Sequence, residues 1–339
     1  MKERRRARGA TFQARNPPEK HALHLRLLSI LLGAAALLTA QESPRPNRVV
    51  WFEMLPEPLP DGRPALALEG TSQFLRPDFE RSGDGRSFAR LDGEEWQLTA
   101  DLPLRLGPGF LNLRVRAVNR GGGFLDQAFA TWHALLGVPQ GGRDQVPKYR
   151  FEYALVRDGR VVARLDHSRT TLMPLDLSWQ IPWGDQGAGA RTGVAVQGSP
   201  GMGRDEFQST GGTHLVVGAA AWRGWGAFRI HGQVERAFLG LPEGSPWRTV
   251  MARRQVSRVW AGAAWEGKGA GLLSGLGLDL SVGYQGSPYQ VGIARVDRAG
   301  WQQHWTFSHR RFPRWRFTFS EEAGTYTAPD ITGALVYRF

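Results

Sequence analysis

The densest group of side chains able to do chemistry lies between residues 121 and 143, in the stretch GGGFLDQAFATWHALLGVPQGGR. It holds Asp126, Trp132, His133 and Arg143. Asp126 and His133 are seven residues apart. On a helix that puts them on nearly the same side, roughly 10 Å apart at 1.5 Å rise per residue, too far for a direct acid and base pair. Together the four suit a loop that folds into or over a cavity and meets a solute there. The alternative is a helix whose apolar stripe packs on the rim of a larger structure while its polar residues cap and tether it. His231 and His304 each have the side chain an acyl-transfer site needs, yet the sequence places no serine beside either. HExxH, GxSxG, the phosphate-cradling P-loop and calcium-loop spacings are all missing. With no cysteine, thiolate metal sites, disulfides and a lipidated cysteine are ruled out. The expectation is therefore no enzyme, no metal and no cofactor.

A second set is spread along the chain. Arg114, Arg116, Arg150, Arg164, Arg191, Arg229, Arg258, Arg314 and Arg316, with His231, Glu152, Glu235 and Asp279, alternate with apolar neighbours. Period-two alternation is the signature of strands with unlike faces. Leu276, Leu278, Leu280, Val282 and Tyr284 oppose Gly277, Asp279, Ser281, Gly283 and Gln285; Phe228, Ile230 and Val234 oppose Arg229, His231, Gln233 and Glu235. Trp315, Phe317 and Phe319 oppose Arg314, Arg316 and Thr318, and the last strand carries Leu335, Tyr337 and Phe339 on its apolar face.

Strand-like stretches fit 66–72, 88–98, 110–118, 149–155, 161–165, 173–182, 188–198, 213–222, 226–236, 250–265, 272–285, 288–296, 301–308, 313–320 and 331–339, fifteen in all. A closed bacterial barrel has an even number, so at least one assignment fails. Asp158 and Gly159 form a two-residue hairpin turn. If the first strand runs outward, 76–85, 119–147 and 199–213 are long outer loops and the Asp158–Gly159 turn falls on the periplasmic side. Leu125, Ala128, Phe129, Trp132, Leu135 and Leu136 follow helical spacing, so 119–147 is a loop insertion carrying one short helix.

The chain carries 43 Lys plus Arg against 31 Asp plus Glu, a net charge of +12. Half of that excess lies in residues 1–40, and beyond them the only lysines are Lys148 and Lys268. An arginine bias spread along a chain is not the one-faced patch a nucleic-acid partner needs. Residues 1–40 read as a signal peptide, a basic leader before the apolar run Leu27–Leu38; 41–63 read as a periplasmic lead-in, and 64–339 as the barrel. The apolar run is too short to span a membrane as a helix.

Export, alternating strands, aromatic outward faces and an aromatic final residue together predict an all-β, antiparallel up-and-down transmembrane barrel of about 12 to 16 strands in the outer membrane. A secreted or periplasmic β protein is the alternative. Asp92, Gly93 and Glu94, then Gly122, Gly123, Phe124, Leu125 and Asp126, then Trp132 with His133, and Gly137, Pro139, Gly142 and Arg143 resemble an uncharacterised bacterial family, domain of unknown function 3187. The resemblance implies an exported, outer-membrane-like architecture and no chemistry. The functional expectation is a passive or gated pore for small solutes, with anions preferred because the inward faces are rich in arginine. The alternatives are a structural or surface-interaction protein with a blocked lumen, and an outer-membrane lipid hydrolase. Expected partners are membrane lipid, small solutes and the outer-membrane assembly machinery, which Leu335, Tyr337 and Phe339 would signal to.

Overall fold

The computed structural model describes residues 64–339 apart from 75–80, 124, 137–145, 186, 199–210, 269–273 and 324–330. The signal-peptide and lead-in expectations, and Arg143, lie outside the described residues. No described helix is long and apolar enough to cross a membrane.

The chain runs through β1 (Ala65–Phe74), β2 (Phe88–Leu106), β3 (Gly109–Gly121) and helix α1 (Leu125–Leu136). Next come β4 (Glu152–Arg157), β5 (Arg160–Leu165), β6 (Arg169–Leu172), β7 (Leu175–Gly184), β8 (Ala188–Gly198) and β9 (His214–Trp225). The last part holds β10 (Phe228–Leu239), β11 (Gln255–Glu266), β12 (Leu276–Gln285), the short helix α2 (Ala294–Asp297), β13 (Gly300–His309), β14 (Trp315–Ala323) and β15 (Ile331–Arg338).

Twelve strands close a ring in the order β1, β2, β3, β7 and then β8 to β15, all antiparallel. Pairing of β15 with β1, Arg338 opposite Ala65, seals the seam. At about 4.8 Å between strands and a tilt of about 40°, twelve strands make a ring about 24 Å across, backbone to backbone. Parity is thus restored without changing the total of fifteen strands. The predicted strand at 288–296 is instead a loop ending in α2, where the backbone N–H groups of Val291 and Gly292 donate to the Asp297 carboxylate at 2.7 and 2.8 Å. The additional strand is β6, which prolongs the line of β7 along β3 beyond a break at Met173–Pro174. Proline has no N–H to give to a ladder. Strands β4 and β5 lie outside the ring, paired to the first residues of β2.

Connections alternate as barrels require. One end carries the tight turns 107–108, 185–187 and 226–227; the other carries long loops, among them 240–254 and 286–299. Asp158 and Gly159, both with positive φ, do make the expected hairpin turn. It lies at the long-loop end, opposite the tight turns among which it was expected, because β4 climbs from Asp92 toward Phe88 of β2.

Apolar side chains cover the outside. On β10, Phe228, Ile230, Val234 and Phe238 are exposed while Gln233 and Glu235 are buried. From Phe228 to Phe238 the strand climbs about 25 Å at that tilt, the height of a hydrocarbon belt. Aromatic pairs mark both edges of it. Tyr284 and Trp301 stand 5.0 Å apart at the loop side, and Trp315, Tyr337 and Phe339 follow one another at 4.8 and 5.1 Å at the turn side. In water such a surface would aggregate; in lipid it is the solvated face. This is an outer-membrane β-barrel.

Candidate functional site: the lumen and its cap

Inward positions are polar and held in ion pairs along the wall. Arg114 Nε donates to Asp101 Oδ1 at 2.8 Å, Arg116 Nη2 to Asp176 Oδ2 at 2.6 Å, and Arg120 Nε to Glu95 Oε2 at 2.6 Å. Across the ring Arg258 Nε donates to Glu235 Oε2 at 2.6 Å. Asp279 is shared: His231 Nε2 donates to Oδ1 at 2.9 Å and Arg229 Nη2 lies 3.5 Å from Oδ2. The acidic partners come from the wall itself. A cation taken from water pays several kcal/mol in desolvation, which a partner on the adjoining strand offsets.

Predicted lumen residues Arg114, Arg116, Arg229, His231, Glu235, Asp279 and Arg316 all lie at inward positions of their strands. Arg314 does not. It is exposed in the turn before β14, and its Nη1 donates to the Tyr337 hydroxyl at 3.2 Å on the lipid side. Arg150 and Arg164 also stand away from the wall: Arg150 precedes β4 and pairs with Glu152, and Arg164 on β5 reaches Asp166. Leu335 and Tyr337 face outward on β15, and the Phe339 N–H donates to the Pro64 carbonyl at 3.1 Å, beside the seam.

The ladder stacks inward residues in rows. Trp222, His231, Gly262, Ser281 and His304 are successive cross-strand partners from β9 to β13. One row nearer the loops, Gln233, Trp260, Gly283 and Gln302 follow the same path. Three of these rings lie against a glycine on an adjoining strand. A Cβ at Gly283 would sit 2.4 Å from Trp260, one at Gly189 2.5 Å from Trp222, and one at Gly262 2.6 Å from His231. Trp260 meets His304 edge to face at 4.4 Å between centroids. These rings, with Arg191, Arg229 and Arg258, line a cavity on the inner face of the wall.

Sequence reasoning missed the cap. β2 and β11 are six places apart in a ring of twelve, hence opposite one another. Yet the β4–β5 hairpin, which springs from β2, packs through Tyr153, Leu155, Val162, Ala163 and Leu165 into one apolar cluster with Ala195, Val216, Leu239 and Val256, inward residues near the loop-side ends of β8 to β11. Trp247, Val250, Met251, Tyr289, Val291 and Ile293 of the loops 240–254 and 286–299 complete it. Six residues at about 3.3 Å each give the hairpin about 20 Å of reach, close to the ring's width. Arg157 at its tip donates to the Gln290 carbonyl at 3.0 Å. Gly93 marks the place where β2 changes partner from β4 to β3, and a Cβ there would sit 2.6 Å from Phe151. Burial pushes the Tyr289 phenol above its ordinary pKa, so it stays neutral inside the cluster. The sequence signal was present: Tyr153, Ala154, Leu155 and Val156 are four apolar residues in a row, a strand buried on both faces.

Helix α1 forms as predicted, but its first residue packs outside the wall. Leu125 lies beside Gly70 and Trp96, on the outward faces of β1 and β2. Asp126, Trp132 and His133 belong to this helix, and their side chains are outside the described atoms. Among the described residues no group of three or more His, Cys, Asp or Glu is placed to hold a metal ion.

No curated protein matches the chain. Among solved structures, the COG4313 outer membrane channel of Pseudomonas putida F1 is similar at 10% identity, over 85% of this chain and 100% of that one, with a TM-score of 0.49. The transport unit of the autotransporter AIDA-I from Escherichia coli follows at 10% identity, 90% and 96% coverage and a TM-score of 0.43. The KdgM porin follows at 6% identity, 81% and 99% coverage and a TM-score of 0.39. Residues 87–188, from the cap-bearing end of β2 into the first residue of β8, match the family described as Protein of unknown function (DUF3187), the family the 92–143 motifs resemble.

Proposed function

We propose that this protein is an outer-membrane channel for small solutes, with anions preferred, whose loop-side mouth is closed by the inserted β4–β5 hairpin. The observation that carries this reading is the hairpin rooted on β2 and packed onto the inner faces of β8 to β11, across a lumen lined with polar side chains. A lid of that kind has a purpose only over a space worth closing. In this reading the tight turns face the periplasm and the long loops face outward, and Leu335, Tyr337 and Phe339 are the signal offered to the assembly machinery. Purified protein in planar bilayers tests it: conductance steps that show a reversal potential favouring anions are expected. Charge reversal belongs at Arg316 and Arg338, inward on β14 and β15, and an unchanged reversal potential there would count against a cationic pathway.

A second reading, a barrel whose lumen stays blocked and whose loops do the work, draws on the wall-to-wall ion pairs of Arg116, Arg120 and Arg258, all buried. A correctly folded barrel that never conducts at any voltage would favour it.

A further inference from the structure

The cavity beneath the cap points to a definite class of solute. We propose that it is a binding site for a small aromatic monocarboxylate. The inference rests on the reading that solutes reach the lumen, and it adds which ones are held there.

Two features of the wall carry it. First, the cavity is walled by rings held flat. Trp222 and Trp260 each lie over a glycine of the next strand, and His304 meets Trp260 edge to face. Glycine costs a strand stability, so its placement beneath Trp222 and Trp260 fixes how these rings stand at the cavity, with the Arg258 guanidinium 5.8 Å over the Trp260 ring. Ring faces accept planar aromatic groups in offset or edge-on contact. Second, the charges do not cancel. Arg191, Arg229 and Arg258 line the cavity against the carboxylates of Glu235 and Asp279, leaving one positive charge over. Arg229 is the cation placed to use it. Its side chain is 37% exposed, it approaches Asp279 at 3.5 Å, and its Nε has no acceptor among the described residues. A guanidinium offers paired N–H groups in the geometry that a carboxylate accepts.

A single surplus charge disfavours phosphate and other dianions. An uncharged hydrocarbon would leave that charge unanswered. A planar acid with one carboxylate answers both features at once: its ring lies among Trp222, Trp260 and His304, and its carboxylate reaches Arg229.

Calorimetric titration of the folded full-length barrel in detergent tests this with four probes: benzoate, cyclohexanecarboxylate of equal charge but without a π-face, benzyl alcohol with the ring but without charge, and acetate. Benzoate is expected to bind at least tenfold more tightly than any of the others. Arg229→Gln should weaken benzoate about tenfold, while Arg229→Lys retains most of the affinity and Trp222→Leu removes the preference over cyclohexanecarboxylate. Benzoate binding no better than acetate, or binding unaffected by Arg229→Gln, overturns the proposal. The comparison of probes on the unaltered protein decides the matter even where a variant fails to fold. A barrel that binds benzoate yet never conducts loses the channel reading alone; one that conducts chloride yet treats benzoate and acetate alike loses this inference alone.

Discussion

Truncating Trp247 to alanine should loosen the cap without touching the barrel ladder. Trp247 lies in the short 3-10 turn Pro246–Thr249, in no strand, and is 2% exposed, its ring 6.4 Å from that of Tyr289. Removing a buried tryptophan side chain costs about 3 to 5 kcal/mol. If opening the cap exposes this site, that packing is lost only from the closed state. The lower figure already shifts the closed-to-open ratio about 150-fold. A pore open about 0.1% of the time would then be open about 13% of the time. Single-channel recording in planar bilayers reads this directly as open probability, with unit conductance unchanged because no inward wall residue is altered. Traces from Trp247→Ala indistinguishable from those of the unaltered protein, with the barrel folded in both, would refute a gate built from this cluster.

Other consequences follow from the wall and its turns. Arg258→Leu alone should destabilise the barrel by about 3 to 5 kcal/mol by taking the paired guanidinium from the buried Glu235 carboxylate, and adding Glu235→Leu should recover most of that, as urea unfolding would show. Leu280→Arg places a cation at the lipid face and should cost about 2 to 4 kcal/mol; Ser281→Arg, one residue on and facing the lumen, should cost clearly less in the same folding assay. Gly283→Val brings a side chain against Trp260, which should displace the ring and reduce benzoate binding while the barrel still folds. In the turn 185–187 the Asp185 carboxylate accepts the N–H groups of Ala188 at 2.9 Å and Gly187 at 2.7 Å, and these bonds hold its pKa below the usual carboxylate range. Its contribution is therefore complete above a pH of about 4, the ordinary carboxylate value, and is lost as pH falls through the lower folded value. Asp185→Ala should flatten that part of the unfolding profile.

Much of the wall was legible because lipid enforces alternation. A strand with hydrocarbon on one side and water on the other must keep its two faces apart, so the predicted 188–198 coincides with Ala188–Gly198, and Phe228, Ile230 and Val234 face outward as read. The hairpin was harder because neither of its faces meets lipid. Tyr149, Phe151, Tyr153 and Leu155 look like one face of a wall strand, and only the unbroken run Tyr153 to Val156 betrays burial on both sides. The loop 286–299 misled for a related reason: Tyr289, Val291 and Ile293 alternate, yet they alternate into the cap, with Pro288 and Gly292 interrupting any ladder. Arg314 was one residue beyond the reach of periodicity, since it falls in the turn where alternation has already stopped. The cavity was invisible in one dimension. His231, Gly262, Ser281 and His304 are spread over more than seventy residues, and only cross-strand register brings them into a row.

Because the chain has no cysteine, a single introduced thiol reports one position alone. Ser281→Cys lies in the row beneath the cap and lines the cavity. With the protein oriented in a bilayer, a membrane-impermeant maleimide is expected to label it from the tight-turn side and not from the long-loop side, and the loop side should become reactive when Trp247→Ala is added. Labelling from the loop side in the otherwise unaltered protein, or equal labelling from both sides, would contradict a polar chamber closed by the inserted hairpin.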